Sequence, residues 1–122
     1  MEFVNFEIAK RLKNLSYNEP FFFFYRTDDQ LLHHAMVSKS LVYGDYVDNE
    51  VVIAPTISQV LKWLRKEKGL HIAIDIWGKT WGYDIIELSS GNSLHWTAYR
   101  EDIKSYEDAA LDGIKYIINN LI

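Results

Sequence analysis

Ala54-Pro-Thr-Ile-Ser-Gln-Val-Leu-Lys-Trp-Leu-Arg-Lys-Glu-Lys-Gly-Leu-His-Ile-Ala-Ile-Asp-Ile-Trp77 reads as one helix, a glycine stop and one strand. Thr56 is a good helix N-cap, because its hydroxyl accepts from a backbone N–H that has no intrahelical partner. Gln59, three residues on, completes a capping-box pattern. Pro55 ends any earlier helix. Ile57, Val60, Leu61 and Leu64 then recur at i, i+3, i+4, i+7, one stripe of a 3.6-residue helix. Lys62, Arg65, Lys66 and Lys68 fall off that stripe or in the last turn, where cations face the negative end of the helix dipole. Gly69 suits the left-handed position that closes a helix. From Leu70 the period switches to two. Leu70, Ile72, Ile74 and Ile76 point one way, and His71, Ala73, Asp75 and Trp77 the other. The spacing predicts a strand with one aliphatic face and one mixed face.

Outward from this unit, the chain of 122 residues reads as a single domain, 1–122. It has no cysteine, which removes disulfides, thiolate chemistry and zinc–thiolate sites. The N-terminus lacks a basic start followed by an apolar run, so no signal peptide is expected. No apolar run approaches the roughly 18 residues of a membrane span. A cytoplasmic setting without a membrane partner is the expectation. The net charge of −4 disfavours nucleic acid as a partner for the surface as a whole.

Toward the N-terminus, Phe3 to Leu15 reads as a helix that Asn5 can cap, with Ile8, Ala9, Leu12 and Leu15 as its apolar stripe. Phe21-Phe22-Phe23-Phe24-Tyr25-Arg26 is apolar on both parities, which predicts a strand covered on both sides or at a sheet centre. Asp28-Asp29-Gln30 is a turn, and Leu31 to Lys39 returns as the antiparallel partner. Ser40 to Ile53 mixes apolar and turn residues and reads as a loop with a short strand, or as a lid.

Toward the C-terminus, Gly78-Lys79-Thr80 is a tight turn and Trp81 to Leu88 returns from it. A three-residue loop sets Trp77 opposite Trp81, Asp75 opposite Tyr83 and His71 opposite Glu87. It also leaves Asp84 on the aliphatic face beside Ile74. The slip that sets Asp75 against Asp84 pairs like charges and is disfavoured. Leu94 to Tyr99 is a further strand after the turn at Gly91 and Asn92. Ser105 caps a last helix, with Asp108 at the third position. Tyr106, Ala109, Ala110, Gly113, Ile114, Ile117, Ile118 and Leu121 form its stripe. Burying Ile114, Ile117, Ile118 and Leu121 contributes roughly 6–12 kcal/mol before entropy.

The expected fold is therefore α+β. An antiparallel sheet of about four to six strands carries two or three helices packed on one face. The other sheet face shows His71, Asp75, Trp77, Trp81, Tyr83 and Trp96. Tryptophans grouped with polar residues suggest a contact surface for a protein partner or a second copy of the chain. The competing reading is that Ser40–Ile53 covers this face and its aromatics form a second core.

Several segments resemble a group of small proteins of Bacteroides-type gut bacteria and their phages or other mobile elements. They are Phe3-Val4-Asn5-Phe6-Glu7-Ile8-Ala9, Leu12-Lys13-Asn14-Leu15 and Asn18-Glu19-Pro20 with the aromatic strand. Ala54-Pro55-Thr56, Gln59, Trp63-Leu64-Arg65, Gly69-Leu70-His71-Ile72 and Tyr106-Glu107-Asp108-Ala109 extend the match. Lys39 to Val52 departs from it. The resemblance implies this domain layout and a cytoplasmic, mobile-element setting. It implies no catalytic residue and no cofactor.

Chemistry-bearing motifs are weak. His33 and His34 are adjacent on a strand and point apart, so at most one joins His71. His71, His95 and Asp75 make a metal set only if their strands neighbour one another, and packed or surface histidines are the simpler account. Ser89-Ser90-Gly91 is a turn and not a nucleophile elbow. Gly78, Gly82 and Gly91 form no phosphate loop. Asp75 with Asp84 or Glu87 is an acid–base pair of a kind every sheet offers. Lys62, Arg65, Lys66 and Lys68, with Lys10, Arg11 and Lys13, could grip phosphates while Trp63 or a tyrosine stacks on bases. A solvated helix face explains the same residues. Three functions follow in order: a non-enzymatic interaction protein, a nucleic-acid-binding accessory protein, and a small ligand-binding domain or enzyme under the Ser40–Ile53 lid.

Overall fold

A computed structural model describes residues 2–35 and 51–122, which fall into two compact units, Phe3–Thr56 and Ile57–Ile122. The α+β class holds. The single sheet expected from the sequence is instead two antiparallel sheets of three strands, with three helices among the described residues.

The first unit contains α1 (Phe6–Asn14), β1 (Phe23–Arg26), β2 (Leu32–His34) and β3 (Val51–Ile53). Helix α1 begins three residues later than Phe3, because Phe3 is extended and bridges Thr56. Asn5 caps it, accepting from the Ile8 N–H at 2.9 Å. Ile8, Ala9 and Leu12 form its buried stripe. Its exit was not legible as a motif. The Ser16 N–H bonds the Lys13 carbonyl and the Tyr17 N–H bonds that of Leu12, a Schellman closure with Ser16 at φ 68° where glycine is usual.

Strand β1 is the centre of its sheet, flanked by β2 and β3, as the unbroken aromatic run requires. Phe24 stands opposite His33 on one side and Ile53 on the other. Strand β3 is buried at all three positions, so Val51–Ile53 is core strand. The rest of the expected loop or lid, and the strand beyond residue 35, lie outside the described residues.

The second unit contains α2 (Ile57–Trp63), β4 (Leu70–Trp77), β5 (Thr80–Glu87), β6 (Ser93–Arg100) and α3 (Tyr106–Asn120). Ile57, Val60, Leu61 and Leu64 are buried as their spacing requires, joined by Trp63. Leu64–Lys68 continues α2 as a wider π-helical turn, closed by the Gly69 N–H on the Leu64 carbonyl. Gly69 is left-handed at φ 63°. That five-residue closure brings residues five apart nearly into line, and Lys68 Nζ lies 5.5 Å from the centre of the Trp63 ring.

The β4–β5 register differs from the expected one. The connection is the two residues Gly78-Lys79, with Gly78 at φ 63° and Trp77 opposite Thr80. Glycine at the first central position is what a tight II′-type connection demands. Its consequence is larger than one residue. Ile72 now faces Ile85, Ile74 faces Tyr83 and Ile76 faces Trp81, while Ala73 faces Asp84 and Asp75 faces Gly82. The slip removes Asp84 from the aliphatic face, the one flaw of the expected pairing. It also carries Trp81 and Tyr83 across to that face.

Helix α3 lies against β4 and β5. Ser105 caps it, accepting from the Asp108 N–H at 3.0 Å. Ala109, Ala110, Gly113, Ile114, Ile117 and Ile118 are buried, whereas Tyr106 at the end of the expected stripe is 44% exposed. We refer to the sheet surface under α3 as the inner face and to the opposite surface as the outer face.

Candidate functional site

Four of the six expected surface residues share the outer face: His71, Asp75 and Trp77 from β4, and Trp96 from β6. Trp81 and Tyr83 do not, because the two-residue turn sends them to the inner face. Trp77 is 74% exposed and Trp96 65% exposed, against 4% for Trp63 and 5% for Tyr83. Aromatic side chains this exposed forgo much of the burial that stabilises their counterparts in the core.

The register builds a depression beside Trp96. Asp75 pairs with Gly82, and Ala73 with Asp84, so the four occupy the corners of a square on the outer face. The two carboxylates take one diagonal. The two smallest side chains take the other diagonal and leave the centre unfilled. Trp96 pairs with Asp84 from the next strand, forming one wall, and Ala98 continues the floor. The resulting concavity is about 570 Å³. Asp84 accepts a hydrogen bond from the Ser93 hydroxyl, and Asp75 Oδ1 accepts one from the Ile76 N–H at 2.8 Å. Both carboxylates are thereby oriented by neighbours on their own sheet. Beyond one edge of the square, the buried Nδ1 of His71 has no hydrogen-bond partner among the described residues.

The inner face carries a polar group that the sequence did not signal. Tyr83 donates its hydroxyl proton to Asp112 Oδ2 of α3 at 2.6 Å, and Arg100 donates to Asp112 Oδ1 at 3.1 Å. Arg100 also grips Asp102. Burial, and then the hydrogen bond to Asp112, push the Tyr83 phenol well above its ordinary range. The pair of carboxylates around Arg100, led by the Asp102 hydrogen bond, stabilises its charge further. Tyr83 thus holds its proton at neutral pH, and Asp112 is occupied by two donors. The cluster ties α3 to β5 and β6. Nearby, His95 stacks on Tyr116 with ring centres 3.6 Å apart and planes 6° from parallel. The 29-residue separation of Tyr83 and Asp112 left no local signature.

The other candidates are dispersed. His95 lies on the inner face, opposite Ile85, and His71 and Asp75 on the outer one, so they form no metal set. Among the described residues no group of three or more His, Asp or Glu is placed to hold a metal ion. His33 contacts Asp29 at 2.9 Å and stacks on Phe24, while His34 packs edge-on against Phe23. Asp75 and Asp84 share a face, whereas Glu87 sits opposite Leu70 on the other. Lys62, Arg65, Lys66 and Lys68 are all exposed, with Lys66 3.6 Å from Glu67. Trp63 beside them is buried, so it offers no stacking platform for a base. On α1, Lys13 donates to the Val51 carbonyl at 2.9 Å. None of the helices among the described residues is long and apolar enough to cross a membrane.

No protein-family model matches the chain, and neither a curated protein nor a solved structure shows significant similarity to it.

Proposed function

We propose that this chain is a non-enzymatic accessory protein that acts by contact, taking a protein partner on the outer face of the β4–β5–β6 sheet. The carrying observation is the pair of tryptophans, Trp77 and Trp96, exposed on one face, with a concavity beside Trp96. Interface centres are enriched in tryptophan, and anchors of this kind contribute most of the binding energy when a partner buries them. The cytoplasmic, mobile-element setting belongs to the same proposal and rests on the resemblance of the end and middle segments.

A second reading draws on Lys62, Arg65, Lys66 and Lys68, which are exposed together on α2 and its π-helical extension. It takes a nucleic acid there. The buried Trp63 and the net charge of −4 weigh against it.

Site-specific photo-crosslinking in the producing cell separates these readings. A benzoylphenylalanine placed at position 77 or 96 should yield one protein adduct, and the same probe at position 62 should yield none. Nucleic-acid adducts from position 62 alone would overturn the proposal. So would small-molecule adducts from position 96 without any protein.

A further inference from the structure

We infer that strand β6 pairs with β6 of a second copy of the chain, antiparallel across a two-fold axis at Trp96. This goes beyond the outer-face reading, because it assigns the edge of the sheet and makes no use of Trp77.

The main-chain directions follow from one bond. The Leu88 N–H donates to the Gly69 carbonyl at 2.9 Å, so the even-numbered residues of β5 bond β4 and the odd-numbered ones bond β6. Tyr83 and Ile85 therefore bond Thr97 and His95, and Trp96 between them turns its N–H and C=O away from β5. No strand pairs with that edge among the described residues. The other outer strand is not open in this way. Leu70 and Ile72 of β4 direct their main chain to its edge, yet they are 6% and 5% exposed. Asp75 Oδ1 accepts from the edge N–H of Ile76. On β6, by contrast, Leu94 is 40% exposed and Trp96 65% exposed.

The strand is also complementary to itself. Ser93-Leu-His-Trp-Thr-Ala-Tyr99 contains no Asp, Glu, Lys, Arg or Pro, the residues that guard sheet edges. About an axis at Trp96, the indole meets its own copy, Leu94 meets Ala98 and His95 meets Thr97. Aromatic pairs stabilise such cross-strand contacts, and no like charges are set opposite one another. Asp84 stands opposite Trp96 on β5, so the two copies of Asp84 lie three strand spacings apart, about 14 Å. That exceeds the Debye length of about 8 Å in physiological salt, so these carboxylates add little repulsion. An unrelated strand would need none of these matches, which is why a second copy is the occupant.

Two register shifts against β5, at Trp81–Tyr83 and at Ile85–Ile86, confine regular pairing to the residues around Trp96. A contact this short buries less than the roughly 1,200 Å² of a standard interface, so the pair forms and parts readily. At low micromolar concentration the chain is monomeric and Trp96 stays in water.

The test follows the full chain by sedimentation from about 10 μM to about 1 mM, with ¹⁵N amide shifts over the same range. Mean mass should rise toward that of a dimer, with shifts at residues 94–98 and at the Trp96 indole N–H. W96K and W96E each put like charges opposite one another on the axis, so each alone should stay monomeric. Their equimolar mixture should associate about tenfold more tightly than either alone, because position 96 faces itself. A mass that stays monomeric, shifts confined to other residues, a dimer that W96K leaves intact, or a mixture no tighter than its parts would each overturn the inference. If either variant misfolds, the mass and shifts of the natural chain decide alone. A strict monomer would leave the outer-face reading to its own crosslinking test. Loss of the adduct at position 77 would in turn leave the β6 pairing standing.

Discussion

A Cβ added to Gly113 of α3 would lie 3.0 Å from Cδ1 and 3.1 Å from Cγ2 of Ile72 on β4. Helix and sheet meet so closely at this point that a methyl group would push the Ile72 side chain back by a few tenths of an ångström. G113A should therefore destabilise the protein by about 1 kcal/mol, overpacking of about 1–3 kcal/mol being partly offset by about 1 kcal/mol of helix propensity. I72V removes the Cδ1 atom that stands nearest. In that background the cost of G113A should shrink, and a double-mutant cycle by urea unfolding would expose the coupling. An unchanged cost would mean that the contact is not the source of the strain.

Ser16 holds a left-handed φ of 68° in the closure of α1. That conformation costs a non-glycine residue about 1–2 kcal/mol, part of which glycine would return as unfolded-state entropy. S16G should raise stability by about 0.5–1 kcal/mol. N5A, which removes the bond to Ile8, should lower it by about 1 kcal/mol. Thermal unfolding of the two variants should move in opposite directions.

Tyr83 predicts the alkaline limit of the fold. Its phenol is raised from an ordinary value of 10.0 by burial and by the Asp112 carboxylate. The folded state binds this proton more tightly than the unfolded state does. The resulting stability is whole below about pH 10 and is lost as pH climbs toward the folded-state value. Denaturation midpoints should therefore fall above about pH 10, and Y83F should flatten that fall while costing about 1–2 kcal/mol at neutral pH. A Y83F profile with the wild-type slope would assign the alkaline limit to another group.

Trp77 and Trp96 should be nearly silent for stability. W77S and W96S each remove side chains that are mostly in water, so each should change unfolding free energy by no more than about 0.5 kcal/mol. Acrylamide should quench wild-type fluorescence more efficiently than that of the double variant, since the buried Trp63 would then contribute a larger share. A large loss of stability in either single variant would show that its indole is packed.

Local chemistry alone specified three of the helix ends and the period of the main strand. Asn5 and Ser105 cap through their own side chains, Gly69 closes α2 through its missing Cβ, and Leu70–Trp77 alternates in its own sequence. Each depends on neighbours within a few residues, so each was legible before any tertiary contact was known. The register of β4 against β5 was not. It depends on which pairing best fills the space under α3, and one residue of slip decides the face of Trp81, Tyr83 and Asp84 at once. The division into two sheets, the burial of Val51–Ile53 and the Tyr83–Asp112 bond likewise join residues far apart in the chain. The sequence by itself determined which segments are helix and strand through most of the chain, because capping and periodicity are short-range. Only the tertiary structure decided that two carboxylates, two small residues and a tryptophan would share one face, because side-chain placement across strands is set by packing on the opposite side of the sheet.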